Sequence, residues 1–365
     1  MAEAHLTEQP WAEWIRERDD WRGARSKPEA LDDLIVLDLS TGHLGGCFCS
    51  SILAEFGAEV IRVEPPGGDV LRRFSPFGVQ QNGTGLAYLL EGRNKHHVTL
   101  NLAKPEGRRL LARLAAKADV LIETFPAGRM DAWGIGYRQL SAKHPGLIYC
   151  ALSTYGQFGP KARTHRRKPS ADVTEQALSG VVHVTGEMAS GPEPAPWEVP
   201  TKIGGWFAWY AAGAWATFGI LAALQFRTVS GRGQMVDVSG AEGIMRYMED
   251  MVLWYEKSGT VRERIGPLDA CAFPYTFVKS KGGYTMLAGF SDPNFTALAT
   301  IMGRPELKED PRFRTFLDRA RLPNKKALHA ELERWSSRHT SEEILGAVQD
   351  YMLQKRGPGT VATGR

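Results

Sequence analysis

Residues Leu34–Glu64, LIVLDLSTGHLGGCFCSSILAEFGAEVIRVE, predict a strand, a helix and a second strand. The apolar run Leu34–Leu39 and the run Glu59–Glu64 have the length and the residue types of buried strands. The glycine-rich segment Ser40–Gly46 is predicted as a turn, and Cys47–Phe56 as a helix. A strand, a helix and a strand in this order form a βαβ unit, whose two strands are parallel.

Strands and helices continue to alternate after this unit, which predicts an α/β large domain with a Rossmann-like parallel sheet covered on both faces. The predicted strands are His97–Leu102, Asp119–Glu123, Leu147–Leu152 and Gln234–Val238, and the predicted helices lie within Pro105–Lys117, Pro126–Leu140 and Ala241–Lys257. The GxGxxG sequence of nicotinamide-binding folds is absent, which argues against a nicotinamide dehydrogenase.

A smaller α+β domain is predicted after a change in composition at Gly259–Asp269. Pro274–Val278 and Tyr284–Ala288 are predicted as a hairpin, since a glycine-containing turn joins them. Three helices are predicted to follow, at Asn294–Met302, Asn324–Ser336 and Ser341–Gln354. The predicted division is an N-terminal arm at 1–30, the large domain at 31–258 and the small domain at 259–365.

The composition indicates an ordinary globular protein, with 43% apolar and 24% charged residues. A net charge of +4 without a basic helix argues against a nucleic-acid partner. The four cysteines form no CxxC pair and no ligand spacing with histidine. We therefore expect no metal site, and a reducing, cytoplasmic location. The charged N-terminus has no apolar core of a secretory signal.

The segment Ile203–Phe226 contains no charged residue and is long enough to cross a membrane. A helix buried on all sides in a large core has the same pattern. Lys202 and Arg227 flank the segment symmetrically, and the chain has no second one like it. We therefore favour a buried helix and expect no membrane association.

The stretch Tyr149–Gly180 carries the most suggestive chemistry. A predicted strand ends in it, a glycine turn follows at Tyr155–Pro160, and Asp172 begins a predicted helix. The residues between are cationic or can become so: Lys161, Arg163, His165, Arg166, Arg167 and Lys168. A strand end, a glycine turn and cations before a helix favour an anion site. On residue type alone, Asp172 fits a plain helix N-cap better than a reactive carboxylate.

Nine motifs in a fixed order resemble the family III CoA-transferases, the CaiB/BaiF group that includes formyl-CoA, carnitine and benzylsuccinate CoA-transferases. They are Leu53–Glu64, Gly68–Asp69 with Arg72, Asn94–Lys95, Ile122–Phe125, Gly134–Tyr137, Ser153–Gln157 with Gly159–Pro160, Asp172 with Gln176–Gly180, Gly231–Ser239 and Gly303–Phe313. Each motif is weak by itself, but together they extend over most of the chain.

The resemblance implies a Rossmann-like large domain, a small domain, and two subunits interlocked as a dimer. It also implies that Asp172 attacks the donor thioester as a nucleophile. A carboxylate suits this role, because it forms a mixed anhydride and then an aspartyl-CoA thioester, and so divides one difficult step into easier ones. The resemblance implies a CoA thioester as substrate and no permanently bound cofactor.

The resemblance also gives candidate binding residues, because CoA needs cations for its phosphates and a stacking face for its adenine. The candidates for CoA are Arg62, Arg72, Asn94, Lys95, Phe125 and Arg129. The candidates for the pocket around the thioester are His43, Tyr155 and Gln157. Exposed charges at strand ends and simple turn packing are the alternative interpretations of these residues.

The chain departs from the family pattern in four places. Ala132 replaces a family arginine, for which Arg129 is a nearby substitute, and Leu44 replaces a glutamine. Gly289–Asn294 replaces the tetraglycine loop of formyl-CoA transferase, so a formyl or oxalyl substrate is not expected. Family members return to the large domain at their C-termini, and this segment is expected to be missing after Arg365.

Two alternatives share the fold. α-Methylacyl-CoA racemases have a histidine before the equivalent aspartate and a second aspartate later, whereas this chain has Ala171 and an acid-free Pro200–Gly205. The other alternative is a CoA-binding subunit of a heteromeric transferase. We expect an interlocked homodimer or a heteromer with a related subunit. The donor is expected to resemble succinyl-CoA, and the tryptophans suggest a bulky acceptor acid.

Overall fold

The computed structural model describes residues 29–165, 168, 170–191, 193, 195–196 and 198–356. Nearly all of the predicted N-terminal arm, 1–28, lies outside the described residues. Arg166 and Arg167 of the cationic run and the chain after residue 356 also lie outside them.

The protein contains a parallel sheet of six strands, in the order β5-β2-β1-β6-β7-β8. The strands of the described chain are β1 (Ile35–Leu39), β2 (Glu59–Glu64), β3 (Gln80–Gln81), β4 (Thr84–Gly85), β5 (Lys95–Thr99), β6 (Val120–Glu123), β7 (Ile148–Ser153), β8 (Met235–Ser239), β9 (Tyr275–Ser280) and β10 (Gly283–Ala288). Val36 of β1 lies in register with Val60 of β2 and Val120 of β6. The predicted Rossmann-like parallel sheet is confirmed.

Fifteen α-helices connect and cover these strands in the described residues. They are α1 (Leu44–Glu55), α2 (Leu86–Glu91), α3 (Pro105–Ala115), α4 (Arg129–Ala132), α5 (Tyr137–Ser141), α6 (Gly159–His165), α7 (Asp172–Ser179), α8 (Val181–Val184), α9 (Phe207–Ser230), α10 (Gly240–Met245), α11 (Glu249–Ser258), α12 (Asp292–Ile301), α13 (Phe316–Ala320), α14 (Leu322–Ser336) and α15 (Ser341–Arg356). Short 3-10 turns lie at Val70–Arg73, Pro76–Gly78 and Pro305–Lys308.

Most predicted elements are present with shifted ends. The first helix begins at Leu44 rather than Cys47, because Gly45 and Gly46 are helical instead of forming the turn. The predicted helix Ala241–Lys257 is two helices, α10 and α11, with a break after Met245.

Each face of the sheet has its own apolar core. On one face, residues of α1 and α9, such as Leu53 and Ile220, pack with Val36, Ile122 and Cys150 of the strands. On the other face, α3, α4 and α5 contribute the side chains Leu111, Met130 and Leu140 to a core with Leu37 and Leu121. A parallel sheet requires this two-sided cover, since both of its faces are apolar.

Among the described residues, α9 is the one helix whose length and composition would allow it to cross a membrane. Half of its most apolar window is buried inside the protein. Its buried side chains include Ala212, Ala216 and Ala223, which lie in the same core as the strands. This packing agrees with the core helix that the sequence analysis favoured.

The chain divides into two compact units, one of residues up to Val181 with Lys202–Asp250, and one of Val182–Thr201 with Met251 onward. Val182–Thr201 therefore packs in the second unit, whereas the domain predicted at 31–258 was continuous. One reason is Arg264, whose guanidinium donates to the carbonyl oxygens of His183, Glu187 and Glu198.

The second unit contains the predicted hairpin as the antiparallel pair β9 and β10. Its helices α12, α14 and α15 close an apolar core around Phe273, Phe295 and Leu332. The fully buried Arg319 donates to the carbonyl oxygens of Phe273, Phe290 and Phe313, which ties the segments around this core together.

Candidate active site

A cleft of about 520 Å³ opens at the carboxyl edge of the parallel sheet. The strand order reverses between β1 and β6, and doubly wound sheets bind their ligands at such a point. The lining residues follow the ends of three strands or belong to the segment after β7: Thr41, Gly42, Thr124, Pro126, Ala127, Arg129, Ser153, Thr154, Tyr155, Gly156, Ala162, His165, Lys168 and Ser170.

Asp172 is the first residue of α7, and the start of another helix holds its carboxylate. Oδ1 accepts a hydrogen bond of 3.1 Å from the backbone N–H of Trp209 in the first turn of α9. Oδ2 accepts one of 2.6 Å from the side-chain amide of Gln176. Trp206, the N-cap of α9, has no side-chain acceptor to offer. Asp172 therefore supplies the negative charge that the start of α9 favours.

The interpretation of Asp172 as a cap of its own helix is wrong. The N-cap of α7 is Ala171, whose backbone is extended with φ −152° and ψ 143°. Asp172 is only 6% exposed. Burial raises the pKa of Asp172 above its ordinary value, while the hydrogen bonds from Trp209 and Gln176 limit the rise. A carboxylate held away from water in one orientation is prepared to act as a nucleophile.

A buried polar cluster that the sequence analysis did not find lies one helical turn beyond Asp172. Oε1 of Glu175 accepts a hydrogen bond of 2.8 Å from the hydroxyl of Thr154 and lies 3.2 Å from Nε2 of His43. The Ser170 hydroxyl lies 3.3 Å from the same oxygen. Thr154 and Ser170 also line the cleft. The sequence signal was an acid three residues after Asp172, which lies on the same helix face.

Two cationic side chains, a phenol ring and an imidazole ring line the cleft. Arg129 and Lys168 are exposed there, and the ring of Tyr155 lies 5.0 Å from that of His165. Arg129 also lies over the indole of Trp133, at 5.6 Å. Exposed cations beside aromatic rings suit phosphate, carboxylate and adenine groups.

Arg62 and Lys95 have structural partners and do not line the cleft. The buried guanidinium of Arg62 donates to Asp38 and Asp69, both at 2.7 Å. Lys95 donates to the carbonyl oxygen of Cys47, and its buried Nζ lies 3.5 Å from Asp38. Burial opposes ionisation of Asp38, but the two cations and the hydrogen bonds from Ser40 and Ser50 together lower its pKa to about 2. Arg62 and Lys95 thus have structural partners beneath the turn after β1.

The remaining predicted residues are dispersed. Arg72 forms two hydrogen bonds of 2.7 Å with Glu64, at the end of β2. Asn94 is exposed with a positive φ of 57°. Phe125 packs against Trp133 with 5.3 Å between ring centroids. Gln157 follows the cleft residue Gly156, and its side-chain Oε1 accepts a hydrogen bond of 3.1 Å from the backbone N–H of Gly128.

Glu123, at the end of β6, is a second buried carboxyl near the cleft. Its Oε2 accepts a hydrogen bond of 2.6 Å from the backbone N–H of Phe125, and its Oε1 accepts one of 3.2 Å from the Tyr149 hydroxyl. Burial raises the pKa of Glu123 to about 8. Glu123 therefore carries a proton at neutral pH and supports the chain just before Thr124.

Comparison with known proteins gives consistent matches over most of the chain. The model of CoA-transferase family III matches residues 31–355. Succinyl-CoA–D-citramalate CoA-transferase of Chloroflexus aurantiacus is 36% identical over 326 residues, which are 89% of this chain and 77% of that protein. The alpha subunit of succinyl-CoA–L-malate CoA-transferase of Chloroflexus aurantiacus is 35% identical over 317 residues, 86% of this chain and 71% of that protein.

A solved structure has the same fold. The crystal structure of a CAIB/BAIF family protein from Brucella suis superposes with a TM-score of 0.73 and 31% identity. The superposition covers 89% of this chain and 82% of that one. The match extends well beyond the residues of the parallel sheet.

Proposed function

This chain belongs to CoA-transferase family III, and we propose that Asp172 is the nucleophile with which the enzyme moves CoA between carboxylic acids. The chain is a CoA-transferase by family and by its relatives. The observation that carries the proposal is the buried Asp172 carboxylate, held by the first turn of α9 and by Gln176.

The reaction begins when a carboxylate oxygen of Asp172 attacks the carbonyl carbon of the donor thioester. The C–S bond breaks, CoA leaves as a thiolate, and a mixed anhydride remains on Asp172. The thiolate then attacks the aspartyl carbonyl and releases the donor acid, which gives an aspartyl-CoA thioester. The acceptor acid reverses these two steps. No ATP is needed, because one thioester is exchanged for another.

The start of α9 assists each of these steps. The N–H of Trp209 that binds the Asp172 carboxylate remains in place when this group becomes an acyl group. It then polarises the aspartyl carbonyl and stabilises the charge on its oxygen during attack. This N–H group belongs to the backbone of a long helix, so it does not need to reorganise during the reaction.

The cleft supports binding of CoA and of an acid with a second charge. Arg129 and Lys168 are the exposed cations on its lining, and they are suited to the phosphates of CoA or to a distal carboxylate of the acceptor. The matched relatives are named for D-citramalate and L-malate, which are dicarboxylic acids. We propose succinyl-CoA as the donor and a dicarboxylic acid as the acceptor.

The bulky acceptor suggested by the tryptophans is not part of this proposal. Trp209 is buried in an apolar cluster, and Trp206 packs against that cluster. Trp133 and Trp215 pack against the two cores of the sheet. Packing explains all four of these residues, so they say nothing about the acceptor.

We further propose a cytoplasmic enzyme that has no membrane or nucleic-acid partner and works as an interlocked homodimer or with a related subunit. A relative that is named as an alpha subunit supports the second form. The buried, oriented Asp172 favours a catalytic chain over a CoA-binding subunit without chemistry. Ala171 before it leaves a racemase without its histidine.

The proposal is tested by isotope exchange between succinyl-CoA and labelled succinate, which requires no knowledge of the acceptor. The wild-type protein should exchange the label. Asp172→Asn keeps the size of the side chain but removes the nucleophile, and it should lower the rate at least about 10³-fold. Exchange at the wild-type rate by folded Asp172→Asn would show that Asp172 is not the nucleophile.

A further inference from the structure

The pair formed by His43 and Glu175 has no part in the mechanism so far. The side chains of His43 and Glu175 are 1% and 0% exposed, and Nε2 of His43 lies 3.2 Å from Oε1 of Glu175. The other ring nitrogen of His43, Nδ1, is buried and has no hydrogen-bond partner among the described residues. A buried polar atom without a partner is costly, and such atoms in native proteins call for an explanation.

The ring of His43 contacts two residues that are close to Asp172. One is Glu175, on the same short helix as Asp172 and one turn further along. The other is Trp209, whose indole lies 5.1 Å from the imidazole between ring centroids. The backbone N–H of Trp209 holds Asp172. The unpartnered nitrogen therefore belongs to a residue that contacts two neighbours of Asp172.

The transfer reaction needs a group that receives negative charge at this place. In the first step of the proposed reaction the charge of Asp172 passes to the CoA sulfur, which must stay within reach of the aspartyl carbonyl for the second step. In a site closed to water, a thiolate requires a donor from the protein. The donors that hold Asp172, Trp209 and Gln176, bind its oxygen atoms and not the sulfur.

We propose that protonated His43, paired with Glu175, holds the CoA thiolate while the mixed anhydride exists on Asp172. This inference rests on the proposed function. Nε2–H of the imidazolium donates to Glu175, and Nδ1–H donates to the sulfur. The C–O bond to Asp172 forms, the C–S bond breaks, and the electron pair stays on the sulfur. The thiolate then attacks the aspartyl carbonyl carbon, and the anhydride C–O bond breaks to release the donor acid as a carboxylate.

No proton is transferred in this sequence. His43 therefore keeps both of its protons throughout, and its charge is balanced by Glu175 when the thiolate is absent.

Glu175 is a positioning residue in this account, and its surroundings fix it closely. The Thr154 hydroxyl donates to Oε1 at 2.8 Å. A methyl group on Gly240, at the start of α10, would lie 2.2 Å from Oε2. Oε2 therefore lies close against the backbone of Gly240, and it has no hydrogen-bond partner among the described residues.

A pair of substitutions separates the two ring nitrogens. The amide of a glutamine can reach the position of Nε2, whereas the amide of an asparagine reaches that of Nδ1. His43→Gln therefore keeps a donor for Glu175 and loses the donor for the sulfur. We expect His43→Gln to lower kcat for succinate exchange about 100-fold, with KM for succinyl-CoA changed less than threefold. His43→Asn should be at least tenfold more active than His43→Gln.

The matched control is His144→Gln. Nε2 of His144 lies 3.0 Å from the carbonyl oxygen of Ala118, before the start of β6 and therefore at the opposite edge of the sheet from the cleft. This variant should exchange at the wild-type rate. A wild-type kcat in folded His43→Gln overturns the proposal. If succinate exchange is then still lost on substitution of Asp172, the proposed function remains supported although the role of His43 is not.

A second measurement does not depend on folding of a variant. Calorimetry on the wild-type protein compares CoA with desulfo-CoA, in which hydrogen replaces the thiol. If His43 holds the sulfur, CoA should bind at least tenfold more tightly at pH 8, and the difference should disappear in His43→Gln. Equal affinities of the wild-type protein for the two compounds overturn the proposal.

Discussion

Asp172 and Glu123 are both buried carboxyl groups, but their partners differ. Asp172 accepts hydrogen bonds from a helix start and from an amide, both of which favour the ionised form. Glu123 has one backbone donor and one phenol, and burial dominates and raises its pKa to about 8. Burial raises the pKa of both groups, and at Asp172 the hydrogen bonds from Trp209 and Gln176 limit the rise.

Glu123 makes stability depend on pH. Its carboxyl has an ordinary pKa of 4.5 when the chain is unfolded and about 8 when it is folded. The folded protein therefore keeps this proton over a range in which the unfolded chain loses it. The associated stability is fully present below pH 4.5 and is lost as the pH rises through 8. We expect Glu123→Gln to remove this loss, so that at pH 9 it is more stable than the wild type by up to about 5 kcal/mol.

Urea unfolding of the two proteins at pH 5, 7 and 9 measures the effect. Glu59→Gln is the control, since Glu59 is exposed in β2, and it should follow the wild type. Parallel pH curves for the wild type and Glu123→Gln would contradict the assignment of the proton to Glu123.

The sequence allowed Asp172 to be chosen because a motif surrounds it, and motifs are local. It did not allow Arg62 and Lys95 to be distinguished from Arg129, because all three are cations near strand ends. What separates them is burial against Asp38, and that contact joins residues distant in sequence. Glu175 was missed for the same reason, since its partner His43 lies in another element.

The crossing of α1 and α9 determines how closely the two helices cover the sheet. A methyl group on Gly45 would lie 2.2 Å from the carbonyl oxygen of Trp209, and one on Gly213 would lie 2.4 Å from that of Gly45. Backbones that approach so closely leave no room for a side chain. Because the N–H of Trp209 holds Asp172, this crossing also sets the position of the Asp172 carboxylate.

We expect Gly213→Ala to destabilise the protein by about 1–3 kcal/mol, although alanine favours helices. Gly346→Ala is the matched control, because Gly346 is also inside a helix and a methyl group there meets nothing within 4 Å. It should be stabilising by about 0.5–1 kcal/mol. Urea unfolding monitored by circular dichroism measures both changes. Equal effects of the two substitutions would show that the crossing tolerates a methyl group.

Element types were predictable because strands and helices in this chain differ in length and in apolar pattern. The residues at which the strands and helices begin and end were less predictable. Gly45 and Gly46 appeared to be turn residues, but they lie in α1 because close packing requires glycine there. The sequence of the long helix α9 fits both a membrane-spanning helix and a buried core helix. Its contacts with the strands distinguish the two and favour the core helix.

At the scale of the large sheet, the reversal of strand order brings the ends of β1, β6 and β7 together around the cleft. The cations on its lining are expected to contribute to binding and not to the chemical step. Arg129→Ala should raise KM for succinyl-CoA about tenfold and leave kcat within a factor of two. Steady-state kinetics at low ionic strength measures this effect.

Arg109→Ala is the control for Arg129→Ala, because Arg109 is an exposed arginine of α3 and does not line the cleft. Its kinetic constants should equal those of the wild type. A KM for Arg129→Ala as low as that of Arg109→Ala would remove Arg129 from the CoA site.

The most direct test of the central claim is to trap the acyl group on the protein. The wild-type protein is incubated with succinyl-CoA, treated with hydroxylamine, and digested for mass spectrometry of its peptides. An activated acyl group on Asp172 should give a hydroxamate on this residue, and Asp172→Asn treated in the same way should carry none. Rapid succinate exchange with an unmodified Asp172, or with the hydroxamate on another carboxylate, would contradict the account.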